Sequence, residues 1–216
     1  MYTGDVHVGG PAAVHELPRL IVSKLAVGPM DNNAYLLRDR DTGQQLLIDA
    51  AAEADRLLAL VGRDGLVGIV TTHRHADHWG ALADVQGATG APTLAGSDDA
   101  DGIDHPIDIR LTHGDVVTVG TSVLRVIALR GHTPGSIALL YEDPYGHPHC
   151  FTGDALFPGG VGKTSTPQDF IQLIDDVSAR LFLALPDDTW IYPGHGNDTT
   201  LGRERPALPQ WRDRGW

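Results

Sequence analysis

A chain of 216 residues that is 42% hydrophobic is long enough to bury a full core, and one domain spanning residues 1–216 is the default at this length. No run of about 18 apolar residues is present, which argues against a membrane-spanning helix or a membrane partner. The formal net charge of −12, with no cluster of Lys and Arg, argues against nucleic acid as a partner.

The first half of the chain predicts alternating strands and helices. Residues 1–19 are weakly patterned and are interpreted as a loose lead-in segment. Short apolar, β-branched runs predict strands at residues 20–27, 33–38, 45–49, 66–70 and 92–95. Apolar spacing near 3.6 predicts a helix over 50–61, and residues 79–85 are predicted to start a second helix. Residues 97–106 are acidic and are predicted to form a loop.

The second half repeats this pattern. Strands are predicted at residues 116–119, 122–129, 136–141, 149–152 and 189–192. A helix is predicted from about residue 166 to 185, with Pro167 at an early position and apolar residues on one face. Strands, helices and strands again indicate two packed sheets with helices outside.

Chemistry-bearing side chains are concentrated directly after the strand at 66–70. Within six residues the chain carries His73, His75, Asp77 and His78. His73 and His75 are two residues apart, so in an extended segment they face the same way. Asp77 and His78 follow the turn and can point elsewhere. One short loop could therefore supply ligands to two adjacent metal positions.

Three later strands end in clusters of the same kind. His132 follows the strand at 122–129, Asp154 follows the strand at 149–152, and His195 follows the strand at 189–192. Each of these clusters carries a glycine that allows a sharp turn. One such residue alone is a weak signal. Together with the first loop, the clusters hold five His and two Asp at strand ends, which predicts a metal site.

Four motifs give the chain a family resemblance. The segments 72–78 (THRHADH), 131–136 (GHTPGS), 152–154 (TGD) and 193–196 (PGHG) resemble the motifs of the metallo-β-lactamase fold superfamily, most closely its glyoxalase II (hydroxyacylglutathione hydrolase) branch. The similarity spans about residues 20–205. It implies an α/β (α+β) fold, a four-layer αββα sandwich with a binuclear metal site.

The resemblance also implies a ligand set. One metal would be held by His73, His75 and His132, and the other by Asp77, His78 and His195, with Asp154 bridging the two ions. Nitrogen and carboxylate ligands suit two divalent ions, with zinc expected and iron or manganese as alternatives. Asp49 resembles an acid of the family that supports the ligands, the alternative being an ordinary turn residue at a strand end. Class B β-lactamases commonly have a Cys ligand where this chain has Asp154, which disfavours that activity.

The implied function is a thioester hydrolase of glyoxalase II type, acting on hydroxyacyl thioesters such as S-lactoylglutathione through a metal-bound hydroxide. Asp77 or Asp154 would be the catalytic carboxylate that orients the nucleophile. The alternative is a persulfide dioxygenase with one iron, for which His73, His132 and Asp154 could serve as ligands. The number and identity of the metals would separate the two.

Residues 159–164 resemble the end of a phosphate-binding loop, but Phe157 occupies a position where that motif requires glycine. In the glyoxalase II branch, a Gly-Lys pair in this region contacts the carboxylate of the thiol. Gly162 and Lys163 resemble that pair, the alternative for Lys163 being a solvated loop lysine. Residues 200–205 are similar to the tail of short, single-domain members, which leaves thiols other than glutathione open.

The single cysteine, Cys150, lies in a predicted strand and is expected to be a buried structural thiol. With no pair for a disulfide, and no basic-then-apolar N-terminal segment, a cytoplasmic location is expected. The histidines outside the motifs are interpreted as surface or loop residues: His7, His15, His105, His113, His147 and His149.

Overall fold

The computed structural model describes residues 2–215. Its first sheet has seven strands in chain order. The first three pairs of neighbouring strands are antiparallel, and the last three pairs are parallel. They are β1 (Ala13–Glu16), β2 (Leu20–Val27), β3 (Asn32–Asp39), β4 (Gln45–Ile48), β5 (Gly68–Thr71), β6 (Thr93–Gly96) and β7 (Ile109–Leu111). The parallel strands are joined by crossovers that carry helices α1 (Ala54–Val61) and α2 (Leu82–Thr89).

The second sheet has six strands in the order β15-β14-β11-β10-β9-β8. They are β8 (Val116–Val119), β9 (Ser122–Ala128), β10 (Ile137–Glu142), β11 (Pro148–Gly153), β14 (Trp190–Pro193) and β15 (Thr199–Thr200). A small hairpin follows β11, formed by β12 (Leu156–Phe157) and β13 (Gly160–Val161). Helices α3 (Pro167–Val177), α4 (Leu201–Glu204) and α5 (Leu208–Arg214) complete the chain.

Three apolar clusters define the layers. The central one joins the two sheets, with Tyr35 and Leu37 from β3 packed against Phe151 and Tyr192 from the second sheet. A second cluster lies between the first sheet and helices α1 and α2, and a third lies between the second sheet and helices α3 and α5. This is the αββα sandwich that the resemblance implies, and the prediction of fold is confirmed.

The strand directions bring the predicted site residues to one edge of the sandwich. β4 and β5 are parallel, as are β11 and β14, so each pair has its carboxyl ends on the same side. β9 is two antiparallel steps from β11 and therefore also ends there. The loops that follow these strands carry Asp49 and all the predicted metal ligands, and the amino end of β3 joins them because β3 is antiparallel to β4.

Several predicted boundaries differ from the structure. Helix α1 begins at Ala54, after Asp49 and Glu53 have turned the chain with positive φ angles. The predicted helix over 166–185 is α3 followed by a π-helical turn at Ser178–Phe182. The strands β1, β7, β12, β13 and β15 and helices α4 and α5 were not predicted.

The lead-in interpretation of residues 1–19 is wrong in its second part, because β1 pairs with β2 along all four of its residues. The interpretation of His149 is also wrong. It lies on β11, is 1% exposed, and its Nδ1 is 3.0 Å from the Tyr192 hydroxyl, which itself lies 2.8 Å from Nδ1 of His15 on β1. Cys150 is fully buried as expected, and burial raises the pKa of its thiol to about 12. Among residues 2–215, no helix combines the length and apolar character needed to cross a bilayer.

Candidate metal centre

Two groups of ligand-type side chains meet at the site edge. The first triad is His73, His75 and His132, and the second triad is Asp77, His78 and His195. The donor atoms of each triad lie within 4.8 Å of one another. His73 Nε2 is 3.1 Å from His75 Nδ1, and His78 Nε2 is 3.2 Å from His195 Nε2. The structure therefore brings together the residues that the family resemblance implies for each of two metal positions.

Asp154 lies between the two triads. One carboxylate oxygen, Oδ2, is 3.6 Å from His132 Nε2 and 3.5 Å from His195 Nε2. The other, Oδ1, is 3.4 Å from His78 Nε2. Oδ2 is thus close to a histidine of each triad, so Asp154 has the position required of a bridging ligand.

The protons on four of the imidazoles are fixed by their outer contacts. His78 Nδ1 donates to Asp49 Oδ2 at 2.9 Å, His132 Nδ1 to the Lys163 carbonyl at 2.6 Å, and His195 Nδ1 to the Met30 carbonyl at 2.9 Å. Because these partners only accept, Nδ1 of each ring carries its proton, and Nε2 faces the centre, where it can bind a metal once any proton on it is displaced. His73 follows the same pattern, with Nδ1 3.1 Å from the Thr72 hydroxyl. This is the arrangement of metal-ligating histidines.

The residues present fit divalent cations. Among residues 2–215, His132 Nε2 and Asp154 Oδ1 are buried at this centre with no hydrogen-bond partner. Convergent lone pairs and carboxylate oxygens repel one another unless a cation lies between them. The backbone at Gly194 approaches the ligand set closely. A Cβ at this position would lie 2.2 Å from Asp154 Oδ1, so only glycine fits there.

Several ionisable side chains at this centre have strongly shifted pKa values. Burial acts to lower the pKa of His78, but the charge of Asp49 and contacts with Asp154 outweigh it and raise that pKa to about 10. Burial and the neighbouring His78 lower the pKa of His73 well below its usual value. Burial opposes ionisation of Asp154, yet the close imidazoles of His195 and His78 lower its pKa overall. One imidazole thus carries a proton that a metal ion would displace.

Asp49 supports both triads from behind. It accepts hydrogen bonds from the Thr72 backbone N–H at 2.7 Å, the Thr72 hydroxyl at 2.8 Å and His78 Nδ1. The Thr72 hydroxyl in turn contacts His73, so one carboxylate orients a histidine of each triad. Its φ of 57° places Asp49 in the left-handed region, a strained conformation that recurs at functional sites.

The segment that leads into β3, and the first residue of that strand, also contribute to the site, although nothing in the sequence predicted it. The Asn32 amide donates to Asp77 Oδ2 at 2.8 Å, and the Met30 carbonyl fixes the ring of His195. In sequence this segment is a Gly-Pro turn between two strands. Its only local signal is a polar Asn at the start of a buried strand, which became meaningful once β3 was known to begin at the site edge.

Gly162 and Lys163 lie beside the first triad. A Cβ at Gly162 would come within 1.8 Å of the Asp154 carbonyl, so this position requires glycine. The Lys163 carbonyl binds His132, while its side chain is exposed to solvent. The backbone of the pair therefore orients a ligand, and the lysine side chain is available at the rim of the site.

The sequence-family model described as Metallo-beta-lactamase superfamily matches residues 27–195, so the chain belongs to this superfamily. Curated relatives named hydroxyacylglutathione hydrolase match as well. The protein of Cereibacter sphaeroides (strain ATCC 17029) is 37% identical over 168 residues, covering 76% of this chain. The chain spans 62% of the length of these hydrolases, so it matches part of each of them.

Three solved structures are similar along most of their length. A structure titled BLEG-1 B3 metallo-beta-lactamase has a TM-score of 0.77 and 27% identity, covering 88% of this chain and 98% of the other. ETHE1 from Myxococcus xanthus has a TM-score of 0.76 and 33% identity, covering 87% and 83%. TTHA1623, solved in a di-iron-bound form, has a TM-score of 0.67 and 32% identity, covering 84% and 96%.

Proposed function

We propose that the chain is a binuclear metallohydrolase of glyoxalase II type, which cleaves hydroxyacyl thioesters such as S-lactoylglutathione to a hydroxy acid and a thiol. The observation that carries the proposal is the pair of triads with Asp154 between them. The similarity to hydroxyacylglutathione hydrolases supports the substrate class, and the di-iron form of TTHA1623 supports two metals. Zinc is the proposed metal, with iron or manganese as alternatives.

Each side chain has a proposed role. The first triad would hold one ion and the second triad the other, with Asp154 as the ligand shared between them. When bound, such ions lower the pKa of water and supply positive charge for a developing oxyanion. Asp77 is held by the Asn32 amide, and its Oδ2 faces His195 at 3.4 Å, so it is positioned to orient the attacking water. Asp154 stays ionised because its pKa is lowered, which keeps it an acceptor.

The leaving group explains why a thioester suits this centre. A thiol is far more acidic than an alcohol or an amine, so a thiolate departs without a strong general acid. No buried side chain near the triads is needed to protonate it. The thiol moiety is proposed to lie against Lys163, whose ammonium would pair with a carboxylate of the thiol, and beside Gly162.

The surroundings of His195 offer an apolar wall for the substrate. Phe157, on β12, is partly exposed, and its ring centroid lies 6.4 Å from that of His195. Met30 is 60% exposed, and its carbonyl binds the same imidazole. The proposed partner is thus a small acyl thioester, and the proposed location is the cytoplasm, where thiols are kept reduced.

A second candidate is a persulfide dioxygenase that uses one iron. The observation in its favour is that Asp154 Oδ2 lies 4.0 Å from His73 Nε2 and 3.6 Å from His132 Nε2, which gives a two-histidine, one-carboxylate set. The similarity to ETHE1 is compatible with this alternative. The completeness of the second triad favours the hydrolase, because a one-iron enzyme has no need of it.

The test combines a substrate panel with one variant. Purified protein is assayed for hydrolysis of lactoyl thioesters on several thiols, for oxygen uptake with a persulfide, and for cleavage of a β-lactam. The proposal predicts thioester cleavage alone. Asp154→Ala is expected to lower metal content and abolish turnover together. A variant that keeps two bound metals, or a wild-type protein that consumes oxygen with persulfide and leaves thioesters intact, would overturn the proposal.

A further inference from the structure

A second buried carboxylate, Asp99, lies close to the first triad and has no role in the function proposed above. It follows β6 in the acidic loop and is 0% exposed. Its Oδ2 accepts a hydrogen bond from the Arg74 backbone N–H at 3.0 Å and another from the Thr133 hydroxyl. Its Oδ1 accepts from the Gly135 backbone N–H at 2.8 Å.

These partners are the chain neighbours of the first triad. Arg74 lies between His73 and His75, and Thr133 directly follows His132. One carboxylate therefore ties the loop that carries two of the histidines to the loop that carries the third. The two segments also meet directly, because the Ile137 N–H donates to the Thr72 carbonyl at 2.9 Å.

The backbone around Asp99 is closely packed, which restricts the relative positions of these loops. A Cβ at Gly135 would lie 2.3 Å from the Asp99 backbone nitrogen, and a Cβ at Gly96 would lie 2.0 Å from the Gly135 carbonyl. The loop after β6 and the loop around His132 are thus in direct backbone contact. A side chain that accepts three hydrogen bonds across this contact must be a carboxylate, because an amide would present N–H to a donor.

We infer that Asp99 is a positioning residue for the metal of the first triad: it sets the spacing of His73, His75 and His132 without contacting the metal. The inference rests on the proposed function, in that it requires the first triad to bind a metal. Partners behind metal ligands typically change metal affinity 10- to 100-fold when removed. Asp49 supports one histidine of each triad, whereas the hydrogen bonds to Asp99 come from Arg74, Thr133 and Gly135, next to ligands of the first triad.

The chain offers a matched control in Asp39, at the far end of β3. Asp39 is also 0% exposed and also joins two loops, through the Thr42 backbone N–H at 2.9 Å and the Ser122 hydroxyl at 2.9 Å. The Thr121 hydroxyl donates to it at 2.9 Å, as the Thr133 hydroxyl does to Asp99. A loss of stability alone should therefore look alike in the two variants.

The experiment measures the dissociation constants of both zinc ions by competition with a chromophoric chelator, together with the melting temperature of the metal-free protein. His132→Ala identifies the binding event that belongs to the first triad. Asp99→Asn is expected to weaken that event by about 10- to 100-fold and to leave the other within about threefold. Asp39→Asn should lower the melting temperature and leave both events unchanged.

Thr133→Val, with Thr121→Val as its control, decides the question if Asp99→Asn fails to fold. Thr133→Val removes one of the three bonds and should weaken the same event about two- to tenfold. Unchanged zinc affinity in the variants that fold, or equal weakening in the Asp39 and Thr121 controls, would overturn the inference. A wild-type protein that binds no metal at the triads would instead refute the proposed function.

Discussion

Replacing Asp49 by asparagine tests whether the outer contacts of the histidines control the metal centre. In the wild type, one oxygen, Oδ2, accepts from both the Thr72 hydroxyl and His78 Nδ1. The other, Oδ1, accepts from the Thr72 N–H. In Asp49→Asn, the side-chain oxygen can keep the hydrogen bond from the Thr72 backbone N–H. The amide nitrogen, which is itself a donor, then faces the Thr72 hydroxyl and His78 Nδ1, which are both donors in the wild type. The hydroxyl can rotate to accept, but the His78 ring must move its proton to Nε2, where it blocks the metal.

The expected size follows from that one lost contact. A hydrogen bond to a charged group contributes about 1.5–3 kcal/mol, and 1.4 kcal/mol is a factor of ten in an equilibrium constant. The affinity for the metal of the second triad should therefore fall about 10- to 100-fold, which agrees with the usual effect of such partners. The metal-free protein should lose about 2 kcal/mol, or about 4–8 °C in melting temperature.

The assay is chelator competition on Asp49→Asn, with thioester hydrolysis measured at saturating metal. Asp39→Asn is again the control, because it replaces an equally buried carboxylate remote from the triads. Wild-type affinity for both metals in Asp49→Asn, with stability reduced as in the control, would show that Asp49 is only a structural residue. That result would refute the argument from tautomers.

Three further experiments test other parts of the structure. Lys163→Ala should raise KM about tenfold to a hundredfold and change kcat little, because one partly solvated ion pair contributes about 1–3 kcal/mol; an unchanged KM would make it an ordinary loop residue. Gly194→Ala should abolish metal binding, because its Cβ would lie 2.2 Å from Asp154 Oδ1, whereas Gly87→Ala, whose Cβ meets nothing within 4 Å, should leave it intact. Burial alone would raise the pKa of Asp39, but hydrogen bonds, led by those from Thr42, lower it to about 2. The ionised Asp39 therefore stabilises the folded protein at pH values above the ordinary pKa of an aspartate. This stabilisation is lost as the pH falls through the pKa of the folded state. Urea unfolding should show Asp39→Asn about 1–2 kcal/mol less stable than wild type near neutral pH and nearly equal to it near pH ~2; a difference independent of pH would refute this.

The fold class and the convergence of the candidate site residues could be predicted from the sequence, whereas several strands and element boundaries could not. The histidines and aspartates follow strands with strong apolar patterns, and parallel strands end at a common edge, so their convergence was predictable. Asp49 could be identified only by resemblance, because a single acid after a strand carries no local signal. Its role depends on Thr72 and His78, which are distant in sequence.

The residues that were missed depend on contacts between distant segments. β1 is four residues long with every second side chain exposed, and its pairing with β2 gives no signature that differs from a polar lead-in. His149 is buried because the Tyr192 hydroxyl from a neighbouring strand satisfies it. Asp99 stands in an acidic run, and nothing local distinguishes the one buried carboxylate from its solvated neighbours.

The central claim is that two metals held by the two triads catalyse thioester hydrolysis. The most direct measurement is the number and identity of metal ions per chain, determined in the same sample in which S-lactoylglutathione hydrolysis is measured. The account predicts two divalent ions per chain, with activity lost when a chelator removes them and restored when they are added back. One iron per chain, with oxygen uptake on a persulfide and no thioester hydrolysis, would contradict it.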